Sequence, residues 1–210
     1  MAYPAGKRVI IPIINLWIKE VNGLDNIPKN GSFIIAANHE SYMDHLIIAS
    51  TFILHLNRKI HFLAKKEHFD NIFKKAWHNY AGAIPLDRQA GGKEALKWAV
   101  QALKKGKIIA IHPEGTRSLT GKLQRGKTGV ARLALAAKVP ILPVGLIGTF
   151  EILPKGKYMP KLRKATMNIV KPIYFDKYYN RRITKKMLRE ITTTMMKEIA
   201  RLCKQEYNFE

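Results

Sequence analysis

The chain has 210 residues but only one cysteine, Cys203, and few acidic residues. A single cysteine excludes an internal disulfide framework and suits a reducing compartment. The 15 acidic residues stand against 37 basic ones, which gives a formal net charge of +22. Such an excess implies attraction to nucleic acid, to an anionic membrane or to an anionic substrate. We expect no secretory signal, because no small-residue cleavage site follows the first apolar run.

A long apolar run is also missing from the N-terminal region. The apolar segment at residues 9–18 is too short to cross a bilayer core, which takes about 20 residues, and Pro12 and Asn15 interrupt it. Basic residues flank this segment, and Trp17 favours the level of the lipid headgroups. We therefore expect residues 1–20 to form a short amphipathic helix that associates with a membrane, and residues 21–210 to form one domain. The alternative is a helix that packs on the core of that domain.

Short apolar runs alternate with longer amphipathic ones along the chain. This alternation predicts an α/β fold with a mostly parallel sheet flanked by helices. We expect strands near residues 32–37, 60–64, 82–86, 107–112, 141–147 and 166–170. We expect helices near residues 8–20, 41–55, 67–79, 91–105, 127–138 and 184–204.

The segment Asn38–Asp44 follows the predicted strand at 32–37 and contains the first candidate site. His39 and Asp44 are five residues apart, which is about 140° around a regular helix at roughly 100° per residue. Their side chains meet if His39 lies at or before the start of the helix and Asp44 reaches back. Asn38 is a favoured N-cap type, which supports that placement. A histidine oriented by a carboxylate can act as a general base, so His39 and Asp44 are the predicted catalytic pair.

Two further blocks lie at the ends of predicted strands, Gly82–Arg88 and His112–Ser118, and another block, Val139–Val144, is apolar with two prolines. The first ends in Arg88, and Pro113 and Gly115 of the second force a turn from which Arg117 projects. Arginine suits bidentate recognition of phosphate or carboxylate. Ligands of parallel sheets bind beyond the carboxyl ends of the strands, which predicts that His39, Arg88 and Arg117 face one cleft.

Together the blocks resemble those of the glycerolipid acyltransferase family, most closely its 1-acylglycerol-3-phosphate acyltransferases. That family has N-H-x4-D, G-x-I-x-x-D-R, F-P-E-G-T-R-S and V-P-I-x-P-V blocks in this order, and the resemblance covers about residues 21–150. One departure is His112, which stands where the family usually has phenylalanine. A second is the short segment of about twenty residues before the matched region, where many relatives carry a longer membrane-binding one.

The resemblance implies transfer of an acyl chain from acyl-CoA or acyl carrier protein to the sn-2 hydroxyl of 1-acylglycerol 3-phosphate. His39 would take the proton of that hydroxyl and Asp44 would orient it, with backbone N–H groups near the helix start or the Gly115 turn holding the oxyanion. Glu114, itself an anion, is expected to hold an arginine or a substrate hydroxyl. By resemblance the glycerol phosphate is bound by Lys65, Arg88, Glu114, Gly115 and Arg117.

No metal and no cofactor is expected beyond the acyl donor. The expected partners are lysophosphatidate, the acyl donor and an anionic membrane surface, with acyl carrier protein as one possible donor. We expect a peripheral or monotopic membrane protein on the cytoplasmic face.

Four alternatives stay open. The acceptor could be another lysophospholipid. A hydrolase would use Ser41 beside His39, but the G-x-S-x-G turn is missing. A metal site at His39, Asp44 and His45 lacks the usual ligand spacing. A nucleic-acid binder would explain the charge, but the basic residues are spread over all segments and no nucleic-acid-binding module is visible, so nucleic acid is not an expected partner.

Overall fold

A computed structural model of the protein describes residues 4–72, 75–76, 79, 82–86 and 93–209. Seven strands lie in this part of the chain: β1 Ile18–Asn22, β2 Ile34–Ala37, β3 Ile60–Lys65, β4 Ile84–Leu86, β5 Ile108–Ile111, β6 Ile141–Ile147 and β7 Ala165–Ile169. They form one sheet in the order β1-β7-β6-β2-β5-β3-β4. Of the pairs in this sheet, β6 and β7 are antiparallel and the others are parallel. The predicted α/β class with a mostly parallel sheet is confirmed.

Helices cover both faces of the sheet. The α-helices of the described residues are α1 Pro4–Arg8, α2 Ile10–Asn15, α3 Met43–Leu56, α4 Lys93–Lys104, α5 Gly129–Ala137, α6 Thr149–Ile152 and α7 Lys185–Cys203. Short 3-10 turns occupy Leu24–Asn26, Lys66–Phe69 and Asp176–Tyr178. The helix predicted at 67–79 falls partly outside the described residues, and the described chain there begins with one of these 3-10 turns.

The central strands are buried on both faces, as parallel strands under two helical layers usually are. Side chains alternate along each strand, so neighbouring residues enter different cores. Ile34 and Ile109 pack with α4, α5 and α7 in one core. Ile35 and Ile108 pack with α2 and α3 in the other. This burial on both faces fixes the ends of β2 and β5, after which the segments that contain His39 and Arg117 begin.

The helix predicted at residues 8–20 is wrong in its bounds. The helical segments end at Asn15, and after a turn at Leu16 and Trp17 the chain forms β1, which pairs with β7 at the edge of the sheet. On α2, Ile11 and Ile14 are buried, whereas Val9, Ile13 and Leu16 around it are exposed. No helix in the described ranges combines the length and the apolar character that crossing a membrane requires. Membrane association of this segment stays a prediction.

Asn38 is not the N-cap of α3, contrary to the sequence-based interpretation. Tyr42 occupies the N-cap position. The Asn38 amide instead donates to the carbonyl of Leu146 at 2.9 Å and accepts from the N–H of Leu146 at 2.8 Å. Asn38 therefore fixes the loop after β2 to the neighbouring strand β6.

Close packing of α7 on β6 depends on Gly145. A Cβ atom added at Gly145 would lie 2.4 Å from the Cβ of Leu202. We expect Gly145→Ala to lower the free energy of unfolding by about 1–3 kcal/mol, because overpacking forces the helix away from the sheet. Gly129→Ala is the matched control: a Cβ there meets nothing within 4 Å. Denaturant unfolding measures both variants, and equal stability of the two would contradict the packing described for α7.

Candidate active site

Two loops meet at one edge of the sheet. Strands β2 and β5 are parallel neighbours, with Ile34 opposite Ile109 and Ala36 opposite Ile111. Their carboxyl ends therefore lie side by side, and the chain leaves them as the segments 38–42 and 112–118. The predicted meeting of these two blocks at one edge is observed.

His39 lies before α3, and Asp44 reaches back to it from the first turn of that helix. The Nδ1 atom of His39 is 2.8 Å from Oδ2 of Asp44. The same oxygen accepts the backbone N–H of Glu40 at 2.8 Å and that of Ser41 at 2.9 Å. An ionised carboxylate only accepts, so the proton of neutral His39 sits on Nδ1 and Nε2 is the nitrogen able to take another.

The turn after β5 holds the backbone of His39 from both sides. Oε1 of Glu114 accepts the N–H of His39 at 2.7 Å, and the N–H of Ser118 donates to the carbonyl of His39 at 2.8 Å. Oε2 of Glu114 accepts two bonds from Gln124, from its backbone N–H and its side-chain amide. Glu114 is thus a positioning residue for His39 in this structure, and both of its oxygens are occupied by donors of the protein.

His112 forms a wall against the histidine of the pair. The two rings stack with centroids 3.9 Å apart and planes 11° from parallel. The Nδ1 of His112 donates to the carbonyls of Ala37 and Asn38 at 3.1 and 2.9 Å, and its Nε2 is buried with no hydrogen-bond partner among the described residues. A histidine at the family's phenylalanine position therefore keeps an aromatic face and adds a link between the ends of β2 and β5.

Nitrogens of three histidines lie close enough together to suggest a metal site. Those of His39, His45 and His112 are all within 4.8 Å of one another. Imidazole binds a metal in the plane of its ring, at about 2.0–2.1 Å. A metal in the plane of the His39 ring would stand far out of the plane of the stacked His112 ring. The cluster therefore packs its rings together without offering a common metal position.

Arg117 lies over an aromatic ring at the start of α3. Its guanidinium carbon is 3.5 Å from the centroid of the Tyr42 ring, a cation–π arrangement. Across the turn, a Cβ added at Gly115 would lie 3.0 Å from Nζ of Lys127, and Gly115 itself has φ +73°. A second cation therefore lies directly beside the glycine of the turn.

Ser41 is not placed as a nucleophile. Its hydroxyl donates to the carbonyl of Leu153 at 2.8 Å and accepts the N–H of Met43 at 3.0 Å. The side chain is fully buried. Ser41 thus accepts a hydrogen bond from the first residue of α3 and fixes this end of the helix to the segment after α6, which disfavours the hydrolase alternative.

Comparison with known proteins identifies the family. The family model described as Acyltransferase matches residues 19–147. The chain belongs to the acyltransferase family. A 1-acyl-sn-glycerol-3-phosphate acyltransferase of Bacillus subtilis is 31% identical over 139 residues, which cover 66% of this chain and 68% of that protein. The chloroplastic 1-acyl-sn-glycerol-3-phosphate acyltransferase BAT2 of Brassica napus is 30% identical over 173 residues, which cover 80% of this chain but 48% of that relative.

A solved structure of the family shares the fold of this acyltransferase. The crystal structure of the 1-acyl-sn-glycerophosphate (LPA) acyltransferase PlsC from Thermotoga maritima matches with a TM-score of 0.69 and 27% sequence identity. The match covers 98% of this chain and 84% of that one. The likeness therefore extends beyond the motif blocks to the N-terminal and C-terminal parts of the chain.

The remaining predicted binding residues are only partly described. Lys65 ends β3, on the same edge of the sheet as the two loops. Arg88 lies outside the described residues. The backbone N–H groups suggested for the oxyanion are in part already used: Gly115 donates to the carbonyl of His112, and those of residues 40–43 donate within the protein.

Sequence reasoning missed Tyr42 and Lys127 as parts of this site. Tyr42 was visible only as an aromatic residue inside the His39–Asp44 block, and its contact with Arg117 joins two distant segments. Lys127 lies outside the four blocks that carry the family resemblance. Neither residue has a local signal that separates it from an ordinary surface side chain.

Buried carboxyl groups surround the pair. Burial, with the Asp44 charge nearby, raises the pKa of Glu40 to about 8. Burial likewise raises the pKa of Glu114 to about 7, against the hydrogen bonds from His39 and Gln124. Burial raises the pKa of Asp44 as well, while the N–H groups on its oxygen act in the opposite direction. Burial and the neighbouring His39 lower the pKa of His112 to about 3, which keeps that ring neutral.

Glu40 should make stability depend on pH. Its oxygen accepts the hydroxyl of Thr149 at 3.0 Å, and its folded-state pKa of about 8 lies above the ordinary value of 4.5. The folded chain therefore holds this proton where the unfolded chain has lost it, so its contribution is present below pH 4.5 and is lost as the pH rises towards 8. Glu40→Gln keeps the acceptor but cannot ionise. Over this pH range its free energy of unfolding should therefore fall by at least about 1 kcal/mol less than that of the parent protein.

Chemical denaturation between pH 5 and pH 9 measures the effect. Glu94→Gln, at an exposed carboxyl group of α4, is the control and should follow the parent protein. A Glu40→Gln profile parallel to that of the parent would show that Glu40 is ionised in the folded protein throughout this range.

Proposed function

We propose that this acyltransferase moves an acyl chain from acyl-CoA or acyl carrier protein to the sn-2 hydroxyl of 1-acylglycerol 3-phosphate. The observation that carries the proposal is the 2.8 Å pair of His39 Nδ1 and Asp44 Oδ2 at the loop edge of the sheet. The Bacillus and Brassica relatives are 1-acyl-sn-glycerol-3-phosphate acyltransferases, which supports this acceptor. The product is phosphatidate, an intermediate of phospholipid synthesis.

The pair provides general-base chemistry. Nε2 of His39 takes the proton of the acceptor hydroxyl while the alkoxide oxygen attacks the thioester carbonyl carbon. The tetrahedral intermediate then expels the thiolate, which receives the proton from His39. A C–O bond thus replaces the C–S bond without an acyl-enzyme. Asp44 holds the ring in this tautomer and stabilises the imidazolium that forms.

Cations around the turn would receive the acceptor phosphate. Arg117 is held on Tyr42, and Lys127 lies beside Gly115. The positive nitrogens of these side chains can share a dianionic phosphate, and an arginine can bind two of its oxygens at once. Family resemblance adds Lys65 and Arg88 to this set. Glu114 would act through the backbone of His39, because both of its oxygens already accept hydrogen bonds from the protein, and it would not need to contact the anion.

We also propose a peripheral or monotopic location on the cytoplasmic face of a membrane. The acceptor and product carry acyl chains, and the protein has a net charge of +22. Around α2, Val9, Ile13 and Leu16 are exposed although they are apolar. Basic residues attract an anionic leaflet and exposed apolar side chains enter its interface.

Purified protein incubated with labelled acyl-CoA or acyl carrier protein and a panel of lysophospholipids tests the activity. Lysophosphatidate should be acylated faster than lysophospholipids with larger headgroups. A larger headgroup used faster would replace the proposed acceptor. Folded protein that acylates none of the panel with either donor would contradict the proposed function.

The first variants concern the general base. His39→Ala should lower turnover by at least about 10²–10⁴-fold without unfolding the protein, because positioned general bases supply rate gains of that size. Asp44→Asn should be strongly impaired, since an amide can favour the wrong tautomer of His39. His55→Ala, an exposed histidine of the same helix, is the control. Near-normal turnover by folded His39→Ala protein would exclude the mechanism.

The second variants concern the acceptor phosphate. Arg117→Ala should raise the KM for lysophosphatidate about tenfold or more, and that for the acyl donor much less, because it removes a charge-assisted contact. Arg117→Lys should rescue poorly, since lysine lacks the planar fork and stacks less well on Tyr42. Arg132→Ala, an exposed arginine of α5, is the control. Unchanged steady-state constants for Arg117→Ala would remove Arg117 from the site.

A further inference from the structure

An exposed segment of unusual composition connects α6 to β7. All ten of its residues, 155–164, are exposed; we call this segment the basic loop. Its apolar side chains are among the most exposed of the chain, with Tyr158 at 88%, Met159 at 82% and Leu162 at 94%. The loop has no acidic residue, and its basic residues are Lys155, Lys157, Lys161, Arg163 and Lys164.

The two ends of the basic loop are held in place. Two residues before its start, the carbonyl of Leu153 accepts the hydroxyl of Ser41 at 2.8 Å and the N–H of Tyr42 at 3.2 Å. Towards its end, the carbonyl of Lys161 accepts the indole N–H of Trp17 at 3.0 Å, and the N–H of Ala165 donates to the carbonyl of Trp17 at 2.8 Å. The loop thus extends from the catalytic segment to the exposed N-terminal segment.

We propose that the basic loop inserts its apolar side chains into the interface of an anionic bilayer and holds the active site beside it. The proposal rests on the proposed function, because a lipid acceptor gives the enzyme a reason to stand at a bilayer. It adds a second contact to the membrane, separate from the helices at residues 4–15.

The composition of the basic loop favours an anionic lipid surface as its partner. Tyrosine, methionine and leucine can enter the headgroup region while neighbouring lysine and arginine side chains remain among the lipid phosphates. Moving exposed apolar side chains from water into the bilayer interface lowers the free energy. The absence of acidic residues means that no part of the loop is repelled by an anionic leaflet.

The N-terminal segment is joined to the end of the basic loop and also carries exposed apolar residues. Leu16 is exposed next to Trp17, the residue that bonds to the end of the basic loop. Val9 and Ile13 are exposed on the same segment. Two apolar contacts joined at Trp17 would bind more tightly than either alone, because the second enters the bilayer from a position already fixed by the first.

Two triple variants separate the basic loop from general surface hydrophobicity. The loop variant is Tyr158→Ser, Met159→Ser and Leu162→Ser. The control variant removes three other exposed apolar residues, Ile72→Ser, Trp98→Ser and Tyr174→Ser. Flotation with vesicles of phosphatidylcholine and phosphatidylglycerol, at low and high salt, measures the membrane partition of each protein.

The parent protein should float with the anionic vesicles and stay partly bound at high salt. The loop variant should lose about tenfold or more in partition, most clearly at high salt, where the apolar contact remains and the charges are screened. The control variant should bind like the parent. Equal partition of the loop variant and the parent at both salt concentrations would overturn the proposal.

A fluorescent label reports insertion directly. Cys203 is the only cysteine and is buried, so Leu162→Cys provides a single accessible site for an environment-sensitive dye. Its emission should shift to shorter wavelength with anionic vesicles, and a dye attached to Trp98→Cys should not shift. A dye at position 162 that stays in water while the protein floats would contradict insertion of the loop.

Turnover of a short-chain, water-soluble acyl glycerol phosphate without vesicles separates this inference from the proposed function. The loop variant should keep this activity but lose activity on long-chain acceptor held in vesicles. A parent protein that floats but acylates neither acceptor would contradict the proposed function alone. A loop variant that floats normally but shows a raised KM for acyl carrier protein would assign the loop to that acidic donor and overturn the bilayer proposal.

Discussion

One buried oxygen, Oδ2 of Asp44, organises the candidate site. It accepts Nδ1 of His39 and the backbone N–H groups of Glu40 and Ser41. Three donors on one oxygen close the chain after β2 into a turn around the first residues of α3. The predicted base and the carboxylate that contacts it therefore come from a single short segment. Because Asp44 is buried, opening the turn would leave its carboxyl group in the core without these hydrogen bonds. The high free energy of that state stabilises the closed turn.

The neighbouring strand supplies the rest of the constraint. Glu114 accepts the N–H of His39, and the N–H of Ser118 donates to its carbonyl, so both backbone polar groups of the predicted base are held by the turn after β5. His112 adds a stacked ring and a bond to the end of β2. Held by two parallel strands that are each buried on both faces, His39 has little freedom to leave its position, and the proposed general-base chemistry requires such a fixed position.

The sequence predicted those parts of the molecule that depend on local pattern. The His39–Asp44 pair could be predicted because both residues lie in one segment after an apolar strand. β1 was missed because its residues form a strand only through pairing with β7, far along the chain, and locally they continue an apolar helical pattern. The same reason explains Asn38, whose partner is Leu146, and Tyr42, whose partner is Arg117. The same residue type can cap a helix or bridge two strands. Only its tertiary contacts show which of these roles the side chain has.

The charge distribution connects the site to its surroundings. Glu40, Asp44 and Glu114 are buried around the base, although the chain as a whole has a net charge of +22. The interior of the site therefore holds the acidic groups, and the excess of cations lies outside it, where it can attract anionic lipid and acceptor phosphate. The backbone of Leu153, two residues before the basic loop, joins these regions, since Ser41 and Tyr42 both donate a hydrogen bond to its carbonyl. If the basic loop binds lipid as proposed, short hydrogen bonds connect that surface to the segment that carries the predicted base, with no flexible linker between them.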